Sequence, residues 1–124
     1  AQVSFDIHAA GRDWAVFSGI ETLCYPMLAV GGAGHVSATG NVAPKEVAEL
    51  YNLVRAGRWH EAIDLHYRLL DLNEVLFIET NPGPVKFLLG QLGLMEPTLR
   101  LPLVQPGEHN QKKIIQVAKD YGIL

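Results

Sequence analysis

The sequence predicts an α/β fold, with two parallel strands in the first third of the chain and helices in the remainder. Residues 14–17 (WAVF) form a continuous apolar run typical of a buried strand, and residues 35–39 (HVSAT) form a second short strand bounded by glycines. One helical segment separates them. Strand, helix and strand at this close spacing are typical of a right-handed βαβ unit in a parallel sheet.

Each element of the first third has a start or stop signal. Residues 1–13 carry apolar side chains at helical spacing and end near a glycine, which predicts a short helix. The strand at 14–17 stops at a Ser-Gly pair. Residues 21–30 predict a second helix, in which Pro26 is tolerable only within the first turn. Three glycines then separate this helix from the second strand.

The remainder of the chain is predicted to be helical, apart from an extended segment at 101–103. Glycines and prolines mark the ends of the helices, and Pro84 is well placed in a first turn. The predicted helices are 44–57, 58–80, 84–94 and 108–121, the last of which is capped by Gly122.

Two parallel strands are too few for a stable sheet, because parallel sheets occur buried between layers and each strand here leaves pairing groups unmet. We therefore expect further strands, supplied either by other chains or by a longer polypeptide of which this sequence is a part.

Composition restricts the function classes. The 124 residues leave room for one domain at most, and their net charge of −3 without a basic run argues against nucleic-acid or anionic-membrane partners. No apolar stretch is long enough to cross a bilayer, and the first residues lack the basic and apolar layout of a secretory signal, so we expect neither. The single cysteine, Cys24, excludes an internal disulfide and suits a cytoplasmic location.

The common catalytic and metal motifs are missing. The five histidines lack the i, i+4 spacing of a helix-borne zinc site, so no metal is expected, and the glycines at 31–34 fit neither nucleotide-binding fingerprint. Cys24 lies in an apolar helical pattern and is predicted to pack in the core. Two carboxylate pairs, Glu46 with Glu49 and Asp71 with Glu74, are predicted to be solvated.

Two segments have functional potential. The helix pair around Gly57 and Trp59 looks like one tetratricopeptide unit, which would make the chain a non-enzymatic interaction module, although no second copy follows at the required spacing. The ends of the two strands, residues 18–22 and 37–41, offer hydroxyls, backbone amides and one carboxylate. Ligands of parallel α/β sheets collect at such ends, although the same Ser and Thr residues can also cap helices.

At these residues the sequence resembles the dihydrodipicolinate synthase and N-acetylneuraminate lyase family of class I Schiff-base aldolases, and by eye it is nearest to the dihydrodipicolinate synthase branch. The resemblance covers nearly the whole chain in family order. Its blocks are FSG (17–19), YPMLAVG (25–31), GHVSATGNVAP (34–44), FIETNPGPVK (77–86) and LRLPL (99–103).

The resemblance implies the C-terminal part of a (β/α)₈ TIM barrel, followed by a C-terminal helical extension. Residues 14–18 would be the seventh strand and 35–39 the eighth, so the missing partners are the first six strands. In domain terms, residues 1–57 would hold the last two βα units with the final barrel helix, and residues 58–124 the extension.

The resemblance also implies the chemistry. The family condenses pyruvate with an aldehyde such as aspartate semialdehyde, through a lysine that forms a Schiff base and must be desolvated. This lysine belongs to the sixth strand, so no catalytic residue is expected in this chain, which alone would be inactive. Its five lysines fall at predicted helix starts or on exposed helix faces. No cofactor is expected.

The resemblance implies that residues of this chain line the substrate pocket. By similarity, Val36 contacts bound pyruvate, and Gly19, Ile20 and Glu21 lie where the family discriminates the second substrate. Synthases that accept aspartate semialdehyde commonly have two acidic residues after this glycine, whereas this chain has Ile20 and Glu21. Another 2-oxo acid aldolase or hydratase-aldolase therefore remains an alternative. Family members are commonly homotetramers, and the helix ending at Val30 is a candidate contact by analogy.

Overall fold

The computed structural model describes residues 2–11 and 13–124. Two short strands and six α-helices follow one another in the order that the sequence predicts. They are α1 (Gln2–Ala10), β1 (Phe17–Ser18), α2 (Cys24–Ala29), β2 (Gly34–His35), α3 (Pro44–Arg55), α4 (Trp59–Val75), α5 (Gly83–Gln91) and α6 (Glu108–Tyr121), with 3-10 helices at Glu21–Leu23 and Thr39–Asn41.

The two strands pair in parallel, as predicted, with Ser18 opposite His35. Both are shorter than expected. Residues 14–16 lie outside β1, although the carbonyl of Val16 accepts from the amide of Ala33 at 2.8 Å, and the chain turns into the second 3-10 helix soon after β2. The described sheet contains only these two strands, so each has one neighbour, and regular pairing extends only as far as the two run side by side.

The predicted starts of α3 and α6 agree with the structure, whereas α2 begins at Cys24 instead of residue 21 and α5 ends at Gln91 instead of residue 94. Pro26 lies in the first turn of α2, and α6 has the predicted bounds with Gly122 in the left-handed conformation, at φ 93°. The prediction for α4 was too long: the helix ends at Val75, and turns lead from there to Pro82. The extended segment predicted at 101–103 is instead a turn, in which the amide of Leu103 donates to the carbonyl of Arg100 at 3.0 Å.

The described residues form two compact units, each with its own apolar core. The first contains the described residues up to Ser37 together with Lys45–Arg68, and the second contains Ala38–Pro44 and Leu69–Leu124. The buried side chains of the first unit include Cys24, Met27, Leu28, Leu50 and Leu53. Those of the second include Leu72, Leu76, Leu88 and Ile114. The division at residue 57 that the resemblance implies stays a prediction.

Three side-chain hydrogen bonds, made by Thr39 and Glu79, organise the second unit. Thr39, which is fully buried, donates from Oγ1 to Oδ1 of Asn73 on α4 at 2.8 Å. Glu79 accepts from the amide of Gly107 at 2.8 Å and from the side-chain amide of Asn110 at 2.7 Å, which fixes the start of α6. These hydrogen bonds lower the pKa of Glu79.

Across the described part of the chain, every helix is too short or too polar to span a membrane.

Candidate functional site

The carboxyl ends of β1 and β2 meet at one edge of the sheet. Because the strands are parallel and Ser18 is the register partner of His35, the segments that leave them, residues 19–21 and 36–37, start side by side. This is the edge at which open α/β sheets and barrels place their ligands. The structure thus brings together all four predicted site residues on adjacent segments.

Glu21 connects the two segments. Its side chain is buried, and its Oε2 accepts a hydrogen bond from Nε2 of His35 at 2.8 Å and another from Oγ of Ser37 at 2.9 Å. A buried carboxylate needs such donors, because burial without partners would penalise its charge. The carboxylate that the sequence places after the first strand therefore binds the end of the second strand.

One ring nitrogen of His35 is hydrogen-bonded to the carboxylate of Glu21. Its Nε2 donates to the carboxylate, because an ionised carboxylate can only accept. The side chain is only 4% exposed, and within residues 2–11 and 13–124 its Nδ1 has no hydrogen-bond partner. Ser37 donates to the same carboxylate oxygen as the imidazole does. The three side chains therefore do not form the Ser-His-acid relay of a nucleophilic enzyme.

The side chain of Val36 lies on the opposite face of the sheet from the hydrogen-bond network formed by Glu21, His35 and Ser37. Successive side chains of a strand alternate between faces, so Gly34 and Val36 share one face with Phe17, the partner of Gly34. The ring of Phe17 lies so close over Gly34 that an added Cβ would be 2.7 Å from it. Phe17 is 55% exposed and Val36 is 69% exposed, so none of the described helices covers this face.

The loop after β1 is held by Ser18. The hydroxyl of Ser18 donates to the carbonyl of Ile20 at 3.0 Å and accepts from its amide at 3.2 Å, the local pattern of a serine turn. Ile20 is 59% exposed, and no atom lies within 4 Å of a Cβ placed on Gly19. Both residues are accessible at the strand ends, whereas Glu21 is buried.

Cys24 is buried, as predicted. Burial, together with the nearby negative charge of Glu21, raises the pKa of its thiol to about 11. A raised pKa keeps the thiol neutral near pH 7, so Cys24 is a poor nucleophile and serves core packing.

The other candidate groups do not gather into a site. Among the described residues, no three His, Cys, Asp or Glu side chains are close enough to hold a metal ion. His66 stacks on Tyr25 with ring centroids 5.5 Å apart, and burial lowers its pKa. Lys86 donates from Nζ to the carbonyl of Thr98 at 2.7 Å. The remaining lysines are exposed at Lys45, Lys112, Lys113 and Lys119.

Sequence reasoning missed His35 and Ser37 as partners of Glu21. They are 14 and 16 residues away along the chain, so no local pattern connects them to the carboxylate. One signal was available. Two polar side chains flank Val36 at alternate positions, and alternate positions of a strand share a face.

Comparison with known proteins gives consistent matches. The model of the dihydrodipicolinate synthetase family matches residues 3–121. A 4-hydroxy-tetrahydrodipicolinate synthase of Thermus thermophilus is 42% identical over 115 residues, which is 93% of this chain and 38% of the relative. The crystal structure of dihydrodipicolinate synthase from Aquifex aeolicus matches with a TM-score of 0.95 and 40% identity, covering 98% of this chain and 41% of that one.

A further structural match is a dihydrodipicolinate synthase variant described as monomeric, with a TM-score of 0.95, 36% identity and coverage of 99% and 42% of the two chains. These matches confirm the predicted fold class, the C-terminal part of a TIM barrel followed by helices. The chain spans about two fifths of the length of the relatives it matches.

Proposed function

The chain belongs to the dihydrodipicolinate synthetase family, and we propose that it forms part of a pyruvate-dependent lyase. The proposed reaction condenses pyruvate with an aldehyde such as aspartate semialdehyde to give 4-hydroxy-tetrahydrodipicolinate, a step of lysine biosynthesis. The observation that carries this proposal is the identity of 38–42% to synthases of this name over 90% or more of the chain.

The proposed covalent step needs a lysine outside these 124 residues. Its amine adds to the keto carbon of pyruvate and water leaves, which forms an imine. Such an amine must be desolvated to act at neutral pH. Four of the five lysines in the chain are exposed on helices, and Lys86 is committed to a carbonyl. We therefore assign no catalytic residue to this chain and expect it to be inactive alone.

The proposed contribution of this chain is one side of the pocket. Val36 contacts the keto acid, Gly19 and Ile20 face the aldehyde, and Glu21 belongs to the same loop. The open face that Val36 shares with Phe17 supports this assignment, because a barrel interior must receive side chains from every strand. In this proposal residues 1–57 supply the last two βα units and residues 58–124 the helical extension.

The side chain of Ile20 favours a second candidate for the aldehyde substrate. It is 59% exposed and apolar, and it occupies a position where synthases that use aspartate semialdehyde commonly have an acid. An aldolase or hydratase-aldolase that joins pyruvate to a less polar aldehyde would benefit from this side chain. Measuring kcat/KM for both aldehydes in the wild type and in Ile20→Asp separates the two. A substitution that leaves the preference unchanged argues against Ile20 as the selector.

We also propose a cytoplasmic homotetramer, in line with the family. Val30, at the end of α2, is 49% exposed and is the proposed contact by analogy. One matched relative is a monomeric variant, so the oligomeric state has to be measured. Analytical ultracentrifugation of the full-length protein measures it. A Val30→Glu variant that sediments like the wild type would argue against this contact.

Borohydride trapping tests the proposed reaction. The full-length protein and the 124-residue chain are each incubated with pyruvate and sodium borohydride and then weighed by mass spectrometry. We expect a stable adduct on the full-length protein and none on the shorter chain. Absence of an adduct on the full-length protein would overturn the lyase assignment, and an adduct on any of the five lysines would overturn the assignment of the catalytic amine to another segment.

A further inference from the structure

We propose that Glu21, together with His35 and Ser37, is a positioning device that fixes Val36 toward the keto acid, and that Glu21 does not itself bind the second substrate. This inference rests on the proposed function, because it gives Val36 a ligand to contact. It also separates the two neighbours in the loop, since Ile20 then faces the aldehyde while Glu21 holds the adjacent strand.

The first argument is the symmetry of the contacts around Val36. The residues immediately before and after it, His35 and Ser37, both donate to the same oxygen of Glu21, at 2.8 and 2.9 Å. Two anchors on one face of a strand leave the residue between them on the other face. The amide of Val36 donates to the carbonyl of Ser18 at 2.8 Å, which fixes the backbone as well.

The second argument is the burial of the carboxylate. Glu21 is 6% exposed, and the side chain of His35 is 4% exposed. A carboxylate that recognised a substrate would need to present an oxygen to the pocket, whereas this one is enclosed and bound to its own chain. Ile20, one residue earlier, is 59% exposed. The accessible side chain of the pair is therefore the isoleucine.

The third argument concerns the cost of disturbing the network. Removing one donor from a buried carboxylate leaves its charge incompletely compensated, so the group moves toward water or takes a proton. Either response releases the end of β2, because Glu21 is the acceptor shared by both anchors. Val36 would then lose its orientation although its own side chain is unchanged.

The two possible roles of Glu21 predict different kinetics. If the network positions Val36, weakening it raises the KM for the keto acid. If Glu21 binds the aldehyde, weakening its support raises the KM for the aldehyde. A purely structural role lowers the yield and melting temperature of the protein and leaves both constants of the folded fraction unchanged.

The experiment uses the full-length protein and two substitutions of His35. His35→Val removes the donor and keeps a strand-forming side chain, whereas His35→Gln offers an amide N–H near the position of Nε2. We expect His35→Val to raise the KM for pyruvate between about 10-fold and 100-fold, the range of a small misplacement of a positioned group. His35→Gln should restore most of the loss. His60→Gln, at an exposed histidine on α4, is the matched control.

Ser37→Ala removes the other anchor and serves where His35→Val fails to fold. It should raise the same KM in the same direction. An unchanged KM for pyruvate in the folded variants overturns the inference, as does a change confined to the aldehyde. Borohydride trapping of the wild type separates failure of the proposed function from failure of the positioning role. If the wild type forms no pyruvate adduct, the proposed function itself is refuted. If the wild type forms the adduct and the variants keep the wild-type KM for pyruvate, only the positioning role is refuted.

Discussion

Breaking the buried hydrogen bond between Thr39 and Asn73 should destabilise the second compact unit. Thr39→Val keeps the shape of the side chain and removes the Oγ1–H that donates to Oδ1 of Asn73 at 2.8 Å. Thr39 is 0% exposed and Asn73 is 5% exposed, so water cannot readily replace the lost donor. A buried acceptor left without a partner costs about 1–3 kcal/mol, and we expect the free energy of unfolding to fall by this amount.

Urea unfolding, followed by circular dichroism, measures the change. The midpoint should fall while the slope of the transition stays constant, because the substitution alters stability and not the surface exposed on unfolding. Thr98→Val is the matched control: Thr98 is exposed, and its side chain makes none of the hydrogen bonds found in the second unit. A substitution at such a site should remain within about 0.5 kcal/mol of the wild type.

A double-mutant cycle assigns the loss to the pair itself. Asn73→Leu removes the acceptor, so the double variant leaves neither group unpaired and should be less destabilised than the sum of the single variants. A coupling of about 1 kcal/mol is expected from contacting residues. The reasoning is refuted if Thr39→Val is as stable as Thr98→Val, or if the two losses add without coupling.

Two further predictions concern other contacts. Gly32→Ala should lower the melting temperature, because the added Cβ would lie 2.7 Å from the backbone oxygen of Met27. Gly19→Ala is the control and should leave the melting temperature unchanged, because no atom lies within 4 Å of a Cβ added there. Equal melting curves for the two variants would contradict the predicted clash. Glu79 has a lowered pKa in the folded protein, so the stability it contributes is present above the ordinary carboxyl pKa and is lost as the pH falls through the lowered value. The protection factor of the Gly107 amide against hydrogen exchange, which is the intrinsic rate divided by the observed rate, should fall in that window in the wild type, but not in Glu79→Gln.

The helices could be predicted more fully than the strands because their signals are local. Gly122 and Pro84 act within one turn of the helix they end or begin, and α6 accordingly has the predicted bounds. The end of α4 was missed because apolar side chains continue at helical spacing beyond Val75, although the backbone there already turns. Apolar spacing alone does not mark where helical hydrogen bonding stops.

The strands depend on pairing, which a single segment does not encode. Residues 14–17 have strand composition throughout, but of this run only Phe17 belongs to β1 in the described structure. The hydrogen bonds from His35 and Ser37 to Glu21 could not be predicted for the same reason. The need for a partner was visible in the carboxylate, but its two donors come from a segment that folding brings alongside.

The exposed face of the sheet links the fold to the proposed function. Phe17 and Val36 are more than half exposed on one face, while Ser18 and the side chain of His35 are buried on the other. Parallel sheets are covered on both faces in folded proteins, so the face that carries Val36 is the one that the rest of the proposed barrel would cover. In the proposed function, the surface left open in these residues would therefore meet both the remaining strands and the keto acid. A network that orients Val36 from the covered face can do so without entering the pocket.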